Sequence, residues 1–148
     1  MSLFFDDLEV GQHFTSLGRT VTETDLTMFS MLSGDWNPIH SDIEFARGTR
    51  AGQRLVHGAF GIALMTGLMD RAGWFADSAV AMLSIDGWKF TRPIHVGDTL
   101  HCAMQISSLR LTSSGTAGVV GRTFRLINQD QQVVQEGECP ALIKLRSA

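Results

Sequence analysis

The chain has 148 residues, of which 44% are hydrophobic and 18% are charged, and its formal net charge is -3. This composition predicts one folded domain over residues 1–148 with a substantial core, and it excludes an intrinsically disordered chain, which would have fewer apolar and more charged residues. The acidic balance argues against a nucleic-acid partner, because sequence-independent binding to nucleic acid normally needs a basic face.

The N-terminus carries no sign of a secretory signal. Residues 1–7 read Met-Ser-Leu-Phe-Phe-Asp-Asp, without a basic segment or a long apolar run. The most apolar stretch, residues 55–69, contains His57 and is shorter than the roughly 20 residues of a membrane-spanning helix. We therefore predict a cytoplasmic protein with no membrane partner.

The first third of the chain predicts a strand and then a helix. After an extended lead-in over residues 4–11, residues 12–22 alternate enough to predict the first strand. Thr22, followed three residues later by Asp25, resembles a capping box and predicts a helix start. Gly34 predicts the left-handed residue that often ends a helix. The predicted apolar face of this helix consists of Leu26, Phe29, Met31 and Leu32.

Residues 33–42 read Ser-Gly-Asp-Trp-Asn-Pro-Ile-His-Ser-Asp. Pro38 lacks an N–H and disfavours the helical conformation at Asn37, so we expect a rigid turn and not a regular helix. Asp35 and His40 lie on this turn, and a carboxylate and an imidazole that share a water molecule can transfer protons near neutral pH. Asn37 is expected to brace the turn through an Asx-type bond to nearby backbone.

The middle of the chain predicts one short and one long helix. Asp42 is expected to cap a short helix through residues 43–46, and residues 48–56 are expected to form a loop. Residues 58–72 predict a helix that is apolar on nearly every side, with only Thr66 polar at its middle. A helix of this kind is normally enclosed by other structure.

The second half of the chain is typical of antiparallel strands. Short polar links separate the later segments, and such links favour hairpins. The predicted strands are residues 79–91, 97–110, 116–127 and 132–145. A buried helix followed by these strands predicts an α+β fold in which an antiparallel sheet wraps around the helix.

Cys102 and Cys139 stand far apart, with no CxxC or Cys/His cluster around them. We predict reduced core residues, with a disulfide or a zinc site as the minor alternative. A metal site is a further alternative, with ligands from Asp35, His40, Asp42 and His57. The spacing of these residues matches no common ligand pattern, so we predict no metal and no cofactor.

Several stretches together resemble one known family. Gly-Asp-Trp-Asn-Pro-Ile-His over residues 34–40 closely resembles the hydratase signature of the MaoC-like, or (R)-specific enoyl-CoA hydratase, family. Val-His-Gly over residues 56–58 is similar to the segment before the central helix of that family. Residues 90–100, Phe-Thr-Arg-Pro-Ile-His-Val-Gly-Asp-Thr-Leu, and the lead at residues 4–11 are similar to further segments of it. The resemblance therefore covers nearly the whole chain.

The resemblance implies a hot-dog fold, usually in a homodimer, and reversible addition of water to a trans-2-enoyl thioester to give the (R)-3-hydroxyacyl product. Asp35 and His40 match the catalytic pair of the family. Gly58 matches the residue whose backbone N–H faces the thioester carbonyl. Thr66 falls where some members have a serine near the active site.

The residues allow this chemistry independently of the resemblance. The Asp35 and His40 pair can activate water and protonate carbon, but which is base and which is acid stays open. An N–H at the helix N-terminus, at Gly58, can bind the enolate-like oxygen, and a glycine lets substrate approach the backbone closely. We place Trp36, Asn37, His57 and Thr66 beside the substrate. Trp36 either flanks the pocket or packs at a subunit boundary, and His57 is expected to pack or to bond a carbonyl, not to catalyse.

Two other functions stay open. A non-catalytic module that binds acyl thioesters has no need of an intact Asp/His pair, and a thioesterase on the same fold would release free thiol. The thioester carrier is coenzyme A or an acyl carrier protein, and the acyl-chain length is open. The basic residues that can form a phosphate clamp, or else be ordinary solvated charges, are Arg47, Arg50, Arg54, Lys89 and Arg92.

Overall fold

The structure, a computed structural model, describes residues 1–146. After a short 3-10 helix at Phe5–Asp7, the α-helices are α1 (Glu23–Ser33), α2 (Pro38–Ser41), α3 (Ile43–Arg47) and α4 (Gly58–Arg71). The strands are β1 (His13–Thr15), β2 (Arg19–Thr20), β3 (Ala79–Met82), β4 (Asp86–Phe90), β5 (Thr99–Leu111), β6 (Ala117–Ile127), β7 (Val133–Glu138) and β8 (Ala141–Lys144). Within residues 1–146, no helix has the length and apolar character that crossing a membrane requires.

The strands form one antiparallel sheet whose centre is the β5–β6 hairpin. β1 and β2 pair with successive parts of β5. On the other side, β7 and β8 pair with successive parts of β6, and β4 and β3 extend the sheet beyond them. The predicted antiparallel hairpins are therefore confirmed.

Three of the predicted strands are each divided in two. Residues 12–22 form β1 and β2, residues 79–91 form β3 and β4, and residues 132–145 form β7 and β8. Pro140 explains the last break, because it has no N–H to donate to the ladder. The two strands of each divided segment still pair on the same side of the sheet. β1 and β2 pair with β5, β7 and β8 pair with β6, and β4 and β3 pair with β7 and β8.

The core lies between α4 and the concave face of the sheet. α4 buries Phe60, Leu64, Met65 and Leu68. The central strands β5 and β6 contribute many of the largest fully buried side chains, among them Leu100, Met104, Phe124 and Leu126. The predicted α4 helix is confirmed, but in the single chain Ala59, Ala63 and Gly67 on its outer side are exposed, so the sheet encloses only one side of the helix. Cys102 and Cys139 are buried free thiols, as predicted.

α1 begins and ends as predicted. The Thr22 hydroxyl accepts from the Asp25 N–H at 3.2 Å, and the Asp25 carboxylate accepts from the Thr22 N–H at 2.8 Å, which completes the capping box. Gly34, with φ 75°, adopts the left-handed conformation, and its N–H donates to the Ser30 carbonyl at 2.9 Å.

The predicted apolar face of α1 is partly wrong. Leu26 and Ser30 are buried, whereas Met31 and Leu32 are 68% and 84% exposed. Residues 26 and 30 are one helical turn apart and share a face, while residues 31 and 32 turn away from it. The small Ser30 therefore occupies an inward position that the predicted apolar face did not include.

Candidate active site

The turn after α1 orients the Asp35 carboxylate through short local bonds. The Ser33 hydroxyl accepts from the Asp35 N–H at 3.1 Å. Asp35 Oδ1 in turn accepts from the Asn37 N–H at 3.2 Å. One carboxylate oxygen is therefore used within the turn, and the other, Oδ2, is directed towards His40.

His40 lies in a helix and not in an irregular turn, which corrects the prediction. Pro38 is the first residue of α2, where a missing N–H breaks no helical hydrogen bond. Asn37 keeps the extended conformation expected before proline, and its Oδ1 accepts from the Ile39 N–H at 3.1 Å. The predicted Asx-type bond is thus confirmed, and it caps α2. Further on, Asp42 caps α3 by accepting from the Phe45 N–H at 2.9 Å, also as predicted.

The contacts of His40 determine its tautomer. Nδ1 lies 2.6 Å from the Leu55 carbonyl oxygen, and because a carbonyl only accepts, Nδ1 carries the proton. Nε2 is then free to accept a proton, and it lies 3.7 Å from Asp35 Oδ2. That distance is too long for a direct hydrogen bond but allows both atoms to contact one water molecule. The His40 side chain is 14% exposed and that of Asp35 is 50% exposed.

His57, the residue before α4, is 3% exposed. Its Nε2 lies 2.9 Å from the Asp35 carbonyl oxygen, to which it donates, and 3.2 Å from the Ser30 hydroxyl. The expected carbonyl-bonding role is therefore confirmed. In the part of the chain that the structure describes, His57 Nδ1 is buried without a hydrogen-bond partner.

Asp35, His40 and His57 also form a group of possible metal ligands, with donor atoms within 4.8 Å of one another. One carboxylate and two imidazoles suit a zinc-like cation by donor type. His40 Nδ1 and His57 Nε2 already bond backbone carbonyls. Asp35 Oδ2, His40 Nε2 and His57 Nδ1 make no hydrogen bond among the described residues, and the absence of a metal stays a prediction.

Gly58 and His40 line the same cavity, which has a volume of about 680 Å³. Gly58 begins α4, and the first N–H groups of a helix have no partner within it. Among residues 1–146, no hydrogen bond uses the Gly58 N–H. A Cβ at this position would lie 2.9 Å from Cε1 of Phe90, so a larger residue would require the Phe90 ring to move. Apolar side chains from α2, the α3–α4 loop, the end of β4 and the β4–β5 loop supply the walls: Ile39, Leu55, Val56, Phe90, Pro93 and Ile94.

The residues that line this cavity do not include Asp35 or any of the four predicted substrate-binding residues, Trp36, Asn37, His57 and Thr66. The Thr66 hydroxyl donates to the Ala63 carbonyl of its own helix at 2.7 Å. Trp36 is 51% exposed on the turn beside Asp35. Their proximity to substrate stays a prediction.

Gln135 is a buried polar residue of the cavity that was missed at the sequence level. Gln135, on β7, is 1% exposed and donates from Nε2 to the Gly58 carbonyl at 2.9 Å. Its Oε1 accepts from the Trp88 indole N–H at 3.0 Å. The available signal was a polar residue directly after two valines in a strand-like segment, which is weak because such residues often face solvent.

The basic residues divide by position. Arg54 binds the Glu23 carboxylate through two bonds, of 2.8 and 2.7 Å, and this bonding holds the pKa of Glu23 below its ordinary value. Arg47 pairs with Glu44 on the surface. Arg50 and Arg92 are exposed at the cavity, and neither has an ion-pair partner among the described residues.

Comparison with solved structures defines the class of protein. A Mycobacterium tuberculosis protein described as having a double hot-dog fold is 23% identical, with a TM-score of 0.84, covering 97% of this chain and 44% of that one. The unliganded R-hydratase PhaJ1 from Pseudomonas aeruginosa is 28% identical, with a TM-score of 0.80, covering 95% of this chain and 85% of that one. The chain is a hot-dog fold protein, and the predicted α+β architecture is confirmed.

Residues 7–124 match the family described as MaoC like domain, and the chain belongs to that family. Among curated relatives, the (R)-specific enoyl-CoA hydratase of Rhodospirillum rubrum is 27% identical over 148 residues, covering 97% of this chain and 93% of the relative. The resemblance read from residues 34–40 is therefore confirmed at the level of the family.

Proposed function

We propose that this protein is an (R)-specific enoyl-CoA hydratase, which also catalyses the reverse dehydration of the 3-hydroxyacyl thioester. The observation that carries the proposal is the 3.7 Å separation of His40 Nε2 and Asp35 Oδ2, beside a cavity that also presents Gly58. Relatives named as hydratases of this type support it.

In the proposed reaction, one water molecule lies between Asp35 Oδ2 and His40 Nε2. His40 takes a proton from the water as its oxygen bonds to C3 of the enoyl group. The electron pair of the double bond moves towards the thioester carbonyl, whose oxygen gains negative charge and accepts from the Gly58 N–H. The proton held by the pair is then transferred to C2, so the atoms of water are added across the double bond.

The bonding of His40 is the reason for assigning it as the base. With Nδ1 donating to the Leu55 carbonyl, neutral His40 presents an unprotonated Nε2 to the water. Asp35 then orients the water by accepting a hydrogen bond from its second O–H group.

We further propose coenzyme A as the carrier, with Arg50 and Arg92 near its phosphates. Their exposed guanidinium groups at the cavity are suited to phosphate oxygens. An acyl carrier protein is the other carrier considered, and a relative from Arabidopsis thaliana is named as a dehydratase of that kind.

The proposed active unit is a cytoplasmic homodimer, with residues 1–148 as one domain in each subunit. The outer strands β3 and β4 leave apolar side chains exposed in the single chain: Val80, Met82 and Phe90, together with Leu83 and Ile85 between the strands. Exposed apolar side chains on edge strands favour association. Gel filtration should give about twice the 16.2 kDa chain mass, and an active monomer would contradict this proposal.

The test is the loss of enoyl-thioester absorbance with crotonyl-CoA and with a longer trans-2-enoyl-CoA. Asp35→Asn and His40→Gln should each lower kcat by at least about 100-fold, because each removes one member of the acid–base pair. Unchanged circular dichroism would show that the fold is intact. Near-normal rates in both variants would refute the assigned pair. Release of free thiol would favour a thioesterase, and tight binding of acyl-CoA without turnover would favour a binding module.

A further inference from the structure

A hydrogen-bonded chain with a buried amide at its centre leads from β4 to the first turn of α4. The Trp88 indole N–H donates to Gln135 Oε1 at 3.0 Å, and Gln135 Nε2 donates to the Gly58 carbonyl at 2.9 Å. An indole N–H only donates and a carbonyl only accepts, so the orientation of the Gln135 amide is determined at both ends. Gln135 is 1% exposed, and a buried amide with both bonds made is rigid.

Two glycines make room for this chain. A Cβ at Gly61 would lie 2.3 Å from Gln135 Nε2, so only glycine lets the amide lie against α4. A Cβ at Gly137 would lie 2.6 Å from Cε3 of Trp88, so glycine on β7 lets the indole lie across that strand. Glycines in two separate elements, α4 and β7, therefore provide the space for Gln135 and Trp88.

The first turn of α4 needs an anchor. It contains two glycines, Gly58 and Gly61, and glycine within a helix lowers its stability because it loses more conformational freedom than other residues. His57, the residue before the helix, makes no side-chain capping bond to it. Gln135 supplies a bond from outside the helix to Gly58, which lines the cavity.

We propose that Gln135 is a positioning residue, oriented by Trp88, that holds the first turn of α4 so that the Gly58 N–H faces the substrate oxygen. This inference rests on the proposed hydratase function and adds to it a residue that does not touch the reacting atoms. Its loss should weaken a contact that strengthens in the transition state, and so should lower kcat more than it changes KM.

The main test compares Gln135→Glu with Gln135→Met by crotonyl-CoA hydration between pH 5 and pH 9. A protonated glutamic acid can donate to the Gly58 carbonyl, whereas an ionised carboxylate repels it. Burial favours the neutral form of such a carboxyl group. We expect kcat of Gln135→Glu, relative to wild type, to fall as pH rises. For Gln135→Met we expect a kcat about 10-fold below wild type at every pH. A misplaced Gly58 N–H should lower kcat less than complete loss of an oxyanion donor would.

The ratio to wild type isolates residue 135, because the other ionisable residues of the cavity, His40, Arg50 and Arg92, are the same in both proteins. Trp88→Phe removes the donor to Gln135 Oε1, and its effect should not add to that of Gln135→Met, since the two residues act in one chain. Wild-type kcat in Gln135→Met, or a constant ratio for Gln135→Glu, would overturn the inference.

Hydrogen exchange separates this inference from the proposed function. In Gln135→Met the amides of residues 62–65, which donate to the carbonyls of the first turn of α4, should exchange at least about 10-fold faster than in wild type, with exchange in the β5–β6 hairpin unchanged. Unchanged exchange of these four amides would refute the anchoring role whether or not the protein hydrates crotonyl-CoA. Absence of hydration by wild-type protein would refute only the proposed function.

Discussion

The imidazole rings of His57 and His40 are stacked, with ring centroids 3.9 Å apart and planes inclined by 23°. His57 also donates to the Asp35 carbonyl, so one buried ring contacts both members of the proposed catalytic pair. Because His57 directly precedes Gly58, the same residue joins the pair to the start of α4. The relative positions of the three proposed groups therefore depend on His57.

Substitution of His57 should impair catalysis while leaving substrate binding nearly unchanged. His57→Phe keeps a ring against His40 but loses the donor to the Asp35 carbonyl, and His57→Gln keeps a donor but loses the stacked ring. We expect each to lower kcat by about 10-fold or more, because small displacements of catalytic groups are costly. Steady-state kinetics should show this with KM within about 3-fold of wild type. Full kcat in either variant would show that its lost contact is not needed.

Gly58 should not tolerate alanine. In Gly58→Ala the new methyl group meets the Phe90 ring and narrows the approach to the N–H, so we expect kcat/KM to fall by about 100-fold. Gly67→Ala is the matched control on the same helix, because a Cβ there meets nothing within 4 Å. That variant should keep full activity and raise the free energy of unfolding by up to about 1 kcal/mol. Equal activities of the two variants would contradict this role of Gly58.

The Glu23–Arg54 ion pair should contribute stability only above acidic pH. The hydrogen bond from Arg54 lowers the folded-state pKa of Glu23, so its stabilisation is present above the unfolded pKa of about 4.3 and is lost as pH falls through the lower folded value. Arg54→Gln should therefore lower the free energy of unfolding by less than about 1 kcal/mol at pH 7, and by nothing at pH 2.

The control for that measurement is Arg47→Gln, which removes an exposed pair with Glu44. Urea unfolding of this variant should be within about 0.5 kcal/mol of wild type at both pH values. A loss in Arg54→Gln that is the same at pH 7 and pH 2 would show that Arg54 stabilises through packing alone.

The two cysteines should be unreactive until the protein unfolds. Burial raises the pKa of Cys102 to about 12 and also raises the pKa of Cys139. Because the thiolate is the reactive form, neither thiol should react readily with a disulfide reagent at pH 8. Both should react at once in denaturant. Fast reaction of the native protein would show that this part of the core opens.

Features that depend only on residues close together in the chain could be predicted from the sequence alone. The capping box of Thr22 and Asp25, the helix end at Gly34 and the Asx bond of Asn37 all join positions at most four residues apart. The apolar run of α4 and the short links between strands likewise predicted the helix at residues 58–72 and the antiparallel hairpins. Residues 34–40, together with residues 4–11, 56–58 and 90–100, predicted the family.

Only the tertiary structure decided which groups meet at the site. The bond of His40 to the Leu55 carbonyl spans 15 positions, that of His57 to the Asp35 carbonyl spans 22, and that of Gln135 to the Gly58 carbonyl spans 77. Such contacts depend on how the sheet curves around α4 and on the register of β7, which no local pattern specifies. The tautomer of His40 and the anchor of Gly58 follow from these long-range contacts.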